Sequence, residues 1–302
     1  MSTEAVLREL LVRQLDHWLP GALHRSRRAT LALAYAGSDT GGAEAALRVV
    51  AEFADRLRGR RLTVLVLAEG GAELPARLGA AETALPADVA VHVVPGHPDR
   101  LPVALQAAGA AGAPLLAVVD GGDPDPALLA AVATGRPAEL LLVTAAGRPV
   151  RPALTAAGFP LATEVELVPV GGGPARLLGY ATASDKGLEA LKDALWAVDE
   201  YAGVRYRDPA DPAGRLLDIS LDPDPGPLRR ELLAELARSG PRTVTELRRF
   251  AATSTVYRAA DANRALASLL ASGAVTRSPE HGRLGGDVLV TLAPGGDAGS
   301  SA

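Results

Sequence analysis

The chain has 302 residues, 48% hydrophobic and 22% charged, enough for two globular cores. Aromatic residues are only 3%, so those cores must be built from Ala, Leu and Val. Cysteine is absent, which excludes disulfides, thiolate nucleophiles and cysteine-ligated zinc or iron–sulfur centres in this chain; 29 Arg against 2 Lys, with abundant Ala, Gly and Pro, matches the codon bias of a GC-rich genome. The formal net charge is −4.

The first 23 residues place Glu4, Arg8, Glu9, Arg13 and Asp16 among apolar positions, the pattern of an amphipathic helix and not of a signal peptide. No stretch approaches the roughly 20 apolar residues of a membrane span, so no membrane partner is expected and the expected location is the cytoplasm. From Arg28 onward short apolar runs alternate with Ala-rich helical segments, which predicts βαβ units and a largely parallel sheet. The predicted strands are residues 29–35, 62–68, 89–94, 115–119, 139–143, 163–168 and 175–181. The predicted helices are 43–58, 73–80, 101–110, 126–134 and 151–157. Between the last two strands only Pro169 to Pro174 remain, too few for a crossover helix, so these strands must pair antiparallel. A parallel series ending in a hairpin is typical of class I methyltransferase-like sheets, and the expected fold class is α/β, Rossmann-like, with domain 1 over residues 1–184.

Residues 186–198 read as a further helix, and the stretch 201–226, with Pro209, Pro212, Pro223 and Pro225, as a connector; helix and connector together occupy 185–226. Helices are then expected at 227–238, 243–252 (capped by Thr243 or Thr245) and 259–272, the last stopped by Gly273. Two short strands, 274–277 and 287–292, flank a turn. This helix-helix-helix-hairpin order is that of a winged helix, expected over 227–293, with a disordered tail at 294–302.

Candidate ligand chemistry sits at the strand ends. The turn after the first strand, Ala36-Gly37-Ser38-Asp39-Thr40-Gly41-Gly42, opens straight into a helix, and Gly37, Gly41 and Gly42 would let a backbone approach a dinucleotide or S-adenosylmethionine (SAM). The spacing is not G-x-G-x-x-G, and Asp39 puts a carboxylate where an anionic cofactor group would lie, so the glycines also read as plain turn formers. Glu69 ends the second strand, where an acidic residue can bind ribose hydroxyls, or simply face water. Asp120, Asp123 and Asp125 crowd the end of the fourth strand: Asp120 is the candidate catalytic acceptor or base, while Asp123 and Asp125 read as turn residues, Asp123 as the cap of the helix at Pro126. The five histidines have no metal-ligand spacing, so no metal is expected. From Pro227 to Val290 ten arginines stand against six carboxylates. A basic module on an acidic chain suits phosphate contact, with Arg258, Asn263 and Arg264 on the third helix and Arg277 and Arg283 on the wing as candidate nucleic-acid-binding residues. Winged helices also dock proteins.

Three stretches resemble the three-Cys-motif partner family, a bacterial group with a methyltransferase-like domain and a C-terminal winged helix. Leu15-Asp16-His17-Trp18-Leu19-Pro20 leading to Leu33-Ala34-Tyr35-Ala36-Gly37 is similar to the family's Trp-bearing helix and its strand ending in Phe-Ala-Gly-Pro-Gly. Lys186-Gly187 and Lys192-Asp193-Ala194-Leu195-Trp196-Ala197-Val198-Asp199, followed by Gly203 and Tyr206-Arg207, resemble its Lys-Gly, Met-Lys-Asp-Ala-Met-Trp-Lys-Val-Asp, Gly and Phe-Arg pattern. The third is the C-terminal module, with Thr243-Val244-Thr245-Glu246-Leu247. The resemblance implies a SAM-type domain by descent and a companion protein bearing the three-Cys motif. Ser38-Asp39 replace the family's Pro-Gly, and Asp120-Gly121-Gly122 replace Asp-Pro-Phe-Gly, so both loops are eroded. Trp196, at helical spacing with Leu188, Leu191 and Leu195, reads as a core anchor. The function expected is that of a degenerate SAM-methyltransferase-like scaffold, with an active SAM-dependent methyltransferase or a ligand-sensing transcription regulator as alternatives.

Overall fold

A computed structural model describes residues 2–37, 40–69 and 73–294. The chain divides into two compact units, Met1–Ser220 and Leu221–Ala302.

The first unit opens with α1 (Thr3–Arg25), whose Ser2 side chain caps it and whose buried stripe runs through Val6, Leu10, Leu15, Trp18 and Leu19. Then follow β1 (Arg28–Tyr35), α2 (Gly41–Glu52), α3 (Ala54–Leu57), β2 (Arg61–Ala68), α4 (Glu73–Glu82), β3 (Val89–Pro95), a 3-10 turn at Pro98–Arg100, α5 (Leu101–Ala107) and β4 (Leu115–Asp120). The remainder is α6 (Pro126–Val132), β5 (Ala138–Ala145), α7 (Arg151–Ala156), β6 (Leu161–Pro169), β7 (Arg176–Thr182), α8 (Asp185–Ala197), β8 (Val204–Arg207) and β9 (Leu216–Leu217). All seven strands read from the sequence form, each within two residues of its expected bounds; the helix expected at 43–58 is interrupted at Phe53.

The sheet order is β3-β2-β1-β4-β5-β7-β6-β8-β9. Strands β1 to β5 are parallel, and β7 runs antiparallel to both β5 and β6. Helices on both faces explain why β1, β4 and β5 are apolar almost throughout, without the alternation of a half-exposed strand. On one face Leu101, Leu105, Leu128, Leu129 and Leu154, from α5, α6 and α7, close over Ala32, Ala117 and Leu140. On the other, α1 packs between α2 and α8. No helix among the described residues is long and apolar enough to cross a membrane.

The stretch expected as helix plus connector, 185–226, differs. Up to Ser220 it belongs to the α/β unit, because β8 pairs with β6 and β9 with β8. Pro209 and Pro212 fall in the loop between β8 and β9, and Pro223 and Pro225 just before the next helix, so no proline interrupts a strand.

A buried polar trio fastens α1 to the sheet. Glu139 of β5 accepts hydrogen bonds from the Tyr180 hydroxyl (2.6 Å) and the Gln14 amide (2.9 Å). Burial pushes the Glu139 carboxyl above its ordinary value of 4.5, an effect only partly offset by those two donors and by the charges of His17 and Arg25. The folded state therefore holds this proton more tightly than the unfolded chain does. Its contribution to stability is full below the unfolded value and is lost as pH rises through the higher folded one. Glu139→Gln is accordingly expected to gain stability relative to the unaltered chain as pH is raised from about 4 to 7, read as urea midpoints at each pH; a difference that shrinks with pH would contradict the assignment.

The second unit contains α9 (Gly226–Ser239), β10 (Arg242–Thr243), α10 (Val244–Ser254), α11 (Ala259–Ala271), β11 (Val275–Ser278) and β12 (Leu289–Leu292). The three strands pair in the order β10-β12-β11, all antiparallel. Thr243, not Thr245, caps α10, in a capping box with Glu246. Leu228, Leu232, Leu247, Leu266, Val275 and Val290 fill the core. Of the tail expected at 294–302, residues 295–302 lie outside the described residues.

Candidate functional site

The registers that pair Tyr35 with both Ala68 and Asp120 bring the ends of β1, β2 and β4 to one edge of the sheet, where open α/β folds bind ligands. Gly37 is exposed there, and no atom lies within 4 Å of where a Cβ would stand, so neither packing nor the backbone requires glycine at this position. Glu69, directly after β2, is also exposed. Asp39, Ser38, Gly70 and Gly71 lie outside the described residues. Gly41 is the first residue of α2. At Gly42 a Cβ would fall 2.7 Å from the Tyr35 hydroxyl and 3.3 Å from Leu11, so this glycine is what lets α2 lie against β1 and α1.

Between β1 and β4, the point where strand order reverses, the backbone is stitched past the strand ends. Ala36 N donates to the Asp120 carbonyl at 2.8 Å; on the other side of β4, Gly121 N donates to the Val143 carbonyl of β5 at 2.8 Å. Gly121, at φ +93°, has its absent Cβ position 2.8 Å from that of Ala36. The Asp120 carboxylate is ion-paired with Arg176 at the start of β7, both groups about one quarter exposed. Leu7 and Leu11 of α1 with Tyr35, Val118, Asp120 and Val143 line a small pocket of about 50 Å³. That is room for a few waters. Asp125, and not Asp123, caps α6, accepting from Ala127 N at 3.2 Å. Among the described residues no cluster of His, Cys, Asp or Glu could hold a metal.

The motif around Lys192 and Trp196 is interior. Trp196 is 1% exposed and meets Tyr206 of β8 edge to face, with ring centroids 5.6 Å apart. Lys192 is buried to the same degree, and its charge opposes the burial that raises the carboxyl of Asp208, just after β8. These residues lock α8 onto the late strands and present nothing to a ligand.

In the second unit Arg258 and Arg264 converge on Asp261, itself 1% exposed. Arg258 Nε and Nη2 donate to the two carboxylate oxygens at 3.0 and 2.9 Å, and Arg264 Nη2 donates at 2.7 Å. Arg264 also pairs with Asp222. The Asn263 side-chain oxygen accepts from Arg248 Nε at 2.7 Å. Arg277 folds onto the hairpin loop, donating to the carbonyls of Pro279, Gly282 and Arg283. Arg283, on that loop, is exposed. The exposed positions of α11 are Ala260, Arg264, Ala267 and Ala271. Three of these four have no group able to hydrogen-bond a base edge.

No protein-family profile matches this chain, and no curated protein does. The solved structures that are similar in part include two with these overlaps. A spermidine synthase from Thermotoga maritima is 11% identical, with 60% of this chain and 62% of that one covered and a TM-score of 0.37. A protein described as a predicted O-methyltransferase, from Agrobacterium tumefaciens, is 16% identical, with 59% and 81% covered and a TM-score of 0.29. This chain thus spans less than two thirds of the spermidine synthase's length. Overlaps this loose carry no residue of those proteins onto a residue of this one.

Proposed function

We propose that the α/β unit is a class I methyltransferase-type domain that has lost its cofactor site and serves as a scaffold, and that the second unit is a winged helix that docks a protein. The strand order 3-2-1-4-5-7-6 with an antiparallel seventh strand, read from this chain's own pairings, is the order of SAM-dependent methyltransferases of that class. The observation that carries the loss of function is the stitched switch point. Ala36 and Gly121 are in contact where a cofactor's chain would enter, and Asp120 is held by Arg176. A three-Cys-motif companion protein is the partner the sequence resemblance names, and the alanine-faced α11 with its internally paired arginines suits a protein surface better than a base-reading role.

Exposed Glu69 beside open space at Gly37 favours the competing reading, an active methyltransferase. Calorimetric titration with SAM and with S-adenosylhomocysteine separates the two. No saturable heat is expected up to millimolar ligand. Micromolar binding that disappears in Glu69→Ala would overturn the proposal.

A further inference from the structure

The face of the sheet carrying α5 is left open over its β3 edge. The helix has only seven residues, and beyond it an apolar groove of about 800 Å³ runs between β2, β3 and α5. That volume lies in the range of small-molecule sites. The register pairs Leu65 with His92 and Leu67 with Val94, so His92 and Val94 stand on the same face as Leu65. Opposite them α5 presents Val103, which is 69% exposed, Ala104 and Ala107. An aliphatic side chain left this open beside an uncovered stretch of sheet marks a surface suited to covering by something apolar.

The groove's polar groups are all of one kind. Among the described residues lining it there is no carboxylate; there are Arg100 and His92. Exposed Arg100 passes over Gly96, where a Cβ would fall 2.7 Å from its Cδ, and Gly96 has φ +143°, where side chains are strained, so glycine there leaves room for the arginine. The guanidinium thus lines an apolar trough and can offer its planar fork of donors to a carboxylate. Neither Gly37 nor Glu69 lines this groove.

From the apolar walls and the one-signed charge we infer that the groove binds an amphipathic monocarboxylate, its hydrocarbon part on Leu65, Val94, Val103 and Ala104 and its carboxylate on Arg100. Octanoate is the probe, with 1-octanol as the uncharged counterpart, titrated into the full chain while the methyl resonances of Val94 and Val103 are followed. Octanoate is expected to shift both sets saturably and to bind about fivefold more tightly than the alcohol, the scale of a partly solvated charge pair. Arg100→Gln should abolish that preference and Arg100→Lys retain part of it. Equal affinity for acid and alcohol, or no shift at 5 mM octanoate, a probe level of roughly the weakest useful affinity, would overturn the inference. So would shifts that depend on protein concentration alone, which would mean that a second copy of the chain covers the groove.

Discussion

Trp196→Ala is expected to destabilise the α/β unit by about 4 kcal/mol, the range found when a large buried aromatic is truncated, plus the loss of an edge-to-face pair. Trp196 is 1% exposed, and its ring partner Tyr206 also donates its hydroxyl to the Leu195 carbonyl. The indole thus joins α8 to β8, and through β8 to β6. For a unit of this size about 4 kcal/mol corresponds to a melting point lower by roughly 10 °C, readable by calorimetry or by urea unfolding. Trp196→Phe should recover half or more of that loss, because it refills most of the volume. A loss below about 1 kcal/mol for the alanine variant would mean the residue is not the anchor its burial implies.

Asp261→Ala is the second large effect, expected at about 2 to 3 kcal/mol and confined to the second unit. The carboxylate accepts from the Arg258 backbone N at 3.0 Å and from both guanidinium groups, so its removal deletes a helix cap, takes from Arg258 its carboxylate and leaves Arg264 paired with Asp222 alone. The figure is set below that of a fully buried pair because Arg264 is 43% exposed and partly solvated. Faster amide exchange in the first turn of α11, with the α/β unit unchanged, is the measurement. The same variant tests what the helix contacts. In the unaltered chain no duplex should be retained at low salt, and removing the carboxylate shared by Arg258 and Arg264 should increase retention. Retention by the unaltered chain that falls in Arg264→Ala would instead place the helix on nucleic acid.

The sheet was legible because burial on both faces writes strands as unbroken apolar runs, as in Leu115 to Val119, and because the span from Pro169 to Pro174 is too short for a crossover. The late strands were missed for a local reason. Val204-Arg205-Tyr206-Arg207 alternates with a period of two, and Val204 and Tyr206 are the buried pair, but the prolines that follow dominated the reading. In the second unit a charge count does not see pairing. Asp261 lies three residues from both Arg258 and Arg264, the helical spacing at which opposite charges meet, and that signal was present in the sequence. At the strand ends the sequence marks the loops but not the stitching. That depends on how far two neighbouring strands continue to hydrogen-bond, which no residue type announces.

Because β8 and β9 complete the α/β unit, the seam between the chain's two modules lies at Leu221 and not where the composition changes after Ser184. A break at Ser184 would strip away α8 and the final two strands, bare the outer side of β6 and strand Glu166 without Arg207. The C-terminal module can therefore be exchanged or discarded as a cassette only from Leu221 onward. Any shorter form of the protein that keeps a working first half must retain the Lys192 to Tyr206 segment, which accounts for why the most distinctive stretch of this sequence carries architecture instead of chemistry.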